Sequence, residues 1–74
     1  MSERLIPLAA MEKIIRQVSN DVRVADGAKA ALKSELEKVA LDISQKAWRL
    51  ATHAGRTTVK EEDIKLAVEQ IRGR

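Results

Sequence analysis

The residues that could do chemistry are few. His53 is the only histidine, and cysteine is absent. A zinc site takes three or four ligands, so a single imidazole cannot build one. Disulfides and thiolate chemistry are excluded by composition. A nucleophile–base pair would need a third group to orient it, and no motif near His53 supplies one. There is no Gly-rich phosphate loop. No catalytic residue, metal or cofactor is therefore expected, and an enzyme is the least favoured class. What remains is charge. Lys and Arg number 14 against 11 acids, a formal net charge of +3. The excess is mild, so its placement matters more than its sum. Trp48 is the only aromatic residue, which excludes the stacking platforms of single-strand binders.

The elements that must position these charges are helices. From residue 26 to residue 55 the chain has no Pro, and its glycines sit only near the two ends. Leu32, Leu36, Val39, Ala40, Ile43, Ala47, Leu50, Ala51 and Ala54 recur at steps that place them on one helical stripe. At 1.5 Å per residue such a helix would be roughly 40 Å long. A compact domain of this size has a radius of gyration of only about 11 Å. A helix that long cannot bury its own stripe with the little chain left over. A second copy of the chain is the expected solution. Asp26 is the expected N-cap, and Gly55 suits the left-handed position after the last turn.

A shorter amphipathic helix is expected over residues 7–18. Pro7 suits its first position, and Leu8, Met11, Ile14, Ile15 and Val18 form its apolar face. Ser19-Asn20-Asp21 ends it. A third helix opens at Lys60-Glu61-Glu62-Asp63, with acids at its positive end. Ile64, Ala67, Val68 and Ile71 give it one stripe, and Gly73 ends it. Leu66 lies off that stripe, and Leu41 and Trp48 lie off the long helix's main stripe. For the latter two, wrapping the dimer core is the commoner outcome.

Val22-Arg23-Val24 and Arg56-Thr57-Thr58-Val59 are β-prone patches, one in each loop. The long helix keeps a chain's own loops apart. They could pair only across an antiparallel dimer. The whole chain, residues 1–74, reads as a single domain. No apolar run approaches the roughly 20 residues of a membrane span. Met1-Ser2-Glu3-Arg4 leads to no signal-peptide core, so a cytoplasmic protein is the expectation.

One stretch is more specific than the helical pattern. Leu50-Ala51-Thr52-His53-Ala54-Gly55-Arg56-Thr57-Thr58-Val59-Lys60-Glu61-Glu62-Asp63-Ile64-Lys65-Leu66-Ala67-Val68 resembles the archaeal histone signature at the second loop and third helix. Ile14-Ile15 and Arg23-Val24 match too, so the resemblance runs from about residue 5 to residue 71. It implies an all-α histone fold: short helix, long central helix, short helix, in an obligate handshake dimer with short loop–loop β-bridges. It also implies double-stranded DNA as partner, bent around the dimer on the chromosome (the nucleoid). Dimers would associate further into tetramers or polymers, or form heterodimers with other histones.

The resemblance assigns roles by position. Arg23 matches an arginine that enters the minor groove facing the protein, which reads groove width rather than bases. Thr58 matches a hydroxyl that contacts phosphate, and Lys60 a nearby lysine. Lys13 and Arg16 match basic positions on the first helix. Thr57 stands at a loop position where many archaeal histones carry Lys. Arg56 and Asp63 match an intrachain pair that clasps the second loop. Leu50, His53, Asp63 and Leu66 match a four-helix bundle joining dimers. Read without the resemblance, each basic side chain is a solvated surface charge, and His53 favours the dipole of its helix end.

There are also departures from the family pattern. Lys13 replaces a common Arg, and Ala25 a common Ser. The first loop is about one residue longer, and Ser19 or Asn20 stands where a small Gly lets dimers stack. Three functions follow for comparison: an architectural DNA-binding protein, a histone-fold transcription or repair factor working as a heterodimer, and a helical interaction module with no nucleic-acid role.

Overall fold

The computed structural model describes residues 6–19 and 21–73. The lead through Leu5 and the Asn20 position lie outside the described residues. Three helices follow in order: α1, Leu8–Arg16; α2, Asp26–His53; and α3, Glu61–Arg72. Among the described residues there is no strand. The two β-prone patches are loops within the single chain, with nothing of its own paired to either. Charges sit where the helix dipoles favour them. Lys13 and Arg16 lie in the last turn of α1, Asp26 opens α2, and Glu61, Glu62 and Asp63 open α3.

Two helix starts differ from the sequence expectation. Pro7 is the N-cap of α1 rather than its first residue, with φ −65° and ψ 139°. Its ring angle suits both positions, but its carbonyl accepts the Ala10 N–H at 3.2 Å, and the extended ψ places it just outside the helix. Asp26 is the first residue of α2 rather than its cap. The Ala25 carbonyl accepts from Ala28 and Lys29 at 3.0 and 3.3 Å, while the Asp26 carboxylate pairs with Lys29 at 3.1 Å. A carboxylate one turn before a lysine gains more from that partner than from a backbone N–H already close to water.

The end of α2 is a two-bond terminator. The Gly55 N–H donates to the Thr52 carbonyl and the Arg56 N–H to the Ala51 carbonyl, both at 2.9 Å. This needs a left-handed residue, and Gly55 has φ +79°. An added Cβ there would meet nothing within 4 Å, so the cost of a side chain is conformational alone. Gly55→Ala should destabilise the protein by about 1–2 kcal/mol. Urea denaturation at fixed protein concentration should show the lower midpoint with an unchanged slope.

The chain divides into two compact units, Met1–Lys38 and Val39–Arg74, and α2 runs through both. In the first unit, Met11 is buried, and so is Lys33, 7% exposed. The stripe pattern does not place Lys33 inside. Its ammonium pairs with Glu37 at 2.7 Å, which makes the burial of its stem tolerable. In the second unit, Ala47, Ala51 and Ala67 are fully enclosed. A methyl group can be enclosed only where neighbouring chain comes close. The larger apolar residues are less well covered. Leu41 is 60% exposed and Trp48 46%, so neither wraps a core within the chain. Val39 and Leu66 are also exposed. The lone chain leaves much of its apolar surface uncovered, which is the condition for a binding face.

Candidate nucleic-acid interface

The basic candidates fall into one group in each unit. In the first unit, Lys13 and Arg16 project from α1 and are exposed, as is Arg23 in the loop that follows. That loop begins with a hydroxyl turn, in which the Asp21 N–H donates to the Ser19 Oγ at 3.1 Å. Arg23 lies in the extended segment beyond. Among the described residues its side chain has no hydrogen-bond or ion-pair partner. Arg16 is engaged. Its Nε donates to Glu12 at 2.9 Å, and a second guanidinium nitrogen reaches the Val22 carbonyl at 3.5 Å. Glu12 also faces Lys29 of α2 at 3.4 Å. Hydrogen bonds from Arg16 and then Lys29 hold the Glu12 carboxyl below its ordinary pKa. Asp26 first, and then Glu12, raise that of Lys29.

In the second unit, Thr57, Thr58 and Lys60 are exposed on the loop between α2 and α3. Arg56 and Asp63 set its shape. One Arg56 nitrogen donates to Asp63 Oδ2 at 2.9 Å, the other to Oδ1 at 3.0 Å. The first also donates to the Thr58 carbonyl at 2.8 Å. The Lys60 N–H donates to Asp63 Oδ2 at 2.8 Å, which secures an orphan donor at the start of α3. This is one half of a capping box. The reciprocal half is absent, because the Lys60 ammonium has no lone pair to accept with.

Asp63 is only 4% exposed, so its carboxylate is a buried, fully bonded charge. Arg56 above all, then the Lys60 N–H, bring its pKa down to about 2. The same contact raises that of Arg56. A carboxyl whose folded pKa lies below its unfolded value of about 3.9 stabilises the fold above that value. The contribution is lost as pH falls through the folded pKa. Stability at fixed protein concentration should therefore drop between about pH 4 and pH 2. An Asp63→Asn variant should lack that part of the drop in acid urea titrations.

The candidates for contact between dimers do not all converge. Leu50 and His53 line a shallow open groove with Lys46, Arg49 and Gln70. Leu66 is exposed on α3. Asp63 has both oxygens occupied by the loop clasp, so it could serve a neighbouring dimer only by sharing them. Two residues of the first group, Glu12 and Lys29, were not singled out from the sequence. The four-residue spacing of Glu12 and Arg16 is a legible signal; the reach of Lys29 to Glu12, across seventeen positions, is not. Among the described residues no three His, Asp or Glu side chains gather as a metal site would need, and no helix is long and apolar enough to cross a membrane.

With this geometry, the order of helices places the protein in a recognisable class. Residues 4–68 match the family model described as histone-like transcription factor (CBF/NF-Y) and archaeal histone. The three helices, short, long and short, are those of an all-α histone-fold protein. The archaeal histone HAN1 of Thermococcus zilligii is 42% identical over 64 residues, covering 86% of this chain and 94% of the relative. Probable archaeal histone 3 of Methanocaldococcus jannaschii is 38% identical over 63 residues, covering 85% of this chain and 92% of the relative. The chain belongs to the archaeal histone family.

Proposed function

We propose that this protein is an architectural component of the chromosome, a histone that bends and compacts double-stranded DNA without reading its sequence. The observation that carries this is the state of its loops. Arg23, Thr57, Thr58 and Lys60 are all exposed, on segments whose shape internal hydrogen bonds hold. Pre-ordered donors lose little freedom when they meet phosphate. The role is structural rather than catalytic.

The binding unit is a head-to-tail dimer. The exposure of Val39, Leu41, Trp48 and Leu66 supports this reading, because a second copy would cover apolar surface the chain leaves open. In that dimer each first loop lies beside the partner's second loop, and the β-prone patches bridge. Arg23 enters the minor groove, while Lys13, Arg16, Thr57, Thr58 and Lys60 meet the backbone. Leu50, His53 and Leu66 join one dimer to the next, with Asp63 at the edge of that contact. Both relatives being archaeal histones weighs against a separate role in a transcription factor.

Duplex binding measured across a salt series tests the reading. Log affinity should fall linearly with log salt, by about 0.9 for each phosphate neutralised. Affinity indifferent to salt would overturn it. Sedimentation of the chain alone should give a dimer. A stable monomer that pairs only with a different histone would replace the homodimer with a heterodimer.

A further inference from the structure

The two loops are held by the same device. In the second, Arg56 divides its guanidinium between the Asp63 carboxylate and the Thr58 carbonyl. In the first, Arg16 divides its own between the Glu12 carboxylate and the Val22 carbonyl. That carbonyl belongs to the peptide joining Val22 to Arg23. Because the peptide is planar, holding its oxygen also sets the direction of the Arg23 N–H and the start of the Arg23 side chain. Lys29, at 3.4 Å from Glu12, ties the arrangement to α2. Arg23 itself has no partner among the described residues to orient it.

We infer that Glu12 and Arg16 are a positioning pair for Arg23: Glu12 aims the Arg16 guanidinium at the Val22 carbonyl, and that contact presents Arg23 to duplex DNA. The inference rests on the DNA-binding reading above. It gives an acid on a DNA-facing helix a favourable role, where charge alone would make it a liability. It also makes Arg16 more than a phosphate contact.

The sign of one substitution separates these views. Glu12→Gln raises the net charge by one, so electrostatics alone predicts tighter duplex binding. Positioning predicts weaker binding, by roughly two- to tenfold, the penalty for immobilising one long side chain at the moment of contact. Arg16→Lys keeps the charge but loses the fork that spans carboxylate and carbonyl, and should weaken binding in the same way. Amide hydrogen exchange on the free protein reads the loop without DNA. Both variants should exchange the amides of residues 21–25 severalfold faster than wild type, with exchange in α3 unchanged. In the Glu12→Gln background, Arg23→Ala should cost less affinity than it does in wild type.

Unchanged loop exchange in both variants overturns the proposal, whatever happens to DNA binding. So does tighter binding by Glu12→Gln, or a full Arg23→Ala loss in that background. A wild-type protein that ignores duplex overturns the DNA reading and Arg23's presentation with it, and its own affinity identifies that failure.

Discussion

Asp63→Ala should lower the thermal midpoint by on the order of 10 °C and loosen the loop between α2 and α3. The carboxylate accepts three hydrogen bonds, two from Arg56 and one from the Lys60 N–H. Its removal strands a half-buried guanidinium and an orphan N–H at the start of α3. Asparagine should be nearly as damaging. Its amide has the right shape, but its NH2 group faces a guanidinium that can only donate. Arg56→Ala should also destabilise, because it leaves the enclosed Asp63 without a counter-charge. The double variant should lose much less than the sum of the singles, since the pair acts as one unit. Thermal melts followed by helical circular dichroism at one protein concentration would measure this. An Asp63→Ala midpoint within a degree or two of wild type would show that the clasp does not hold the fold. The same variant should bind duplex more weakly, because Thr58 and Lys60 lie on the loop it releases.

Arg23→Ala should leave stability almost untouched and reduce duplex affinity about a hundredfold per dimer. The side chain is exposed and unpartnered among the described residues, so the folded chain gives up nothing when it is shortened. On DNA each guanidinium makes charged hydrogen bonds worth about 1.5 kcal/mol, or roughly tenfold, and a dimer carries two. The salt slope should fall by no more than about 0.9 per chain. Arg23→Lys preserves the charge and should recover only part of the affinity, because an ammonium lacks the flat shape that fits a narrow groove. Fluorescence anisotropy with a labelled duplex would decide it. If Arg23→Ala bound as tightly as wild type, the groove contact would be lost from the account, and weight would move to Lys13, Arg16 and Lys60.

Much of the fold is legible in the sequence. The three helices fall where apolar periodicity puts them, within two residues at most ends. Gly55 adopts the left-handed angle that its place after His53 suggests. The shortage of partners for a long apolar stripe also appears as exposed Val39, Leu41 and Trp48. The helix starts are less legible. Proline suits two adjacent positions equally, and Asp26 has a rival partner in Lys29.

The sequence by itself determined which segments are helical, where they stop, and which chemistries the chain lacks. These depend on backbone preferences and on spacings of three or four residues, which act at short range. Only the tertiary structure decided that Lys33 is buried against Glu37, that both oxygens of Asp63 are taken, and that Arg16 turns to Val22. Long charged side chains have many rotamers of similar energy. Which one is occupied depends on the group that another part of the chain brings within reach.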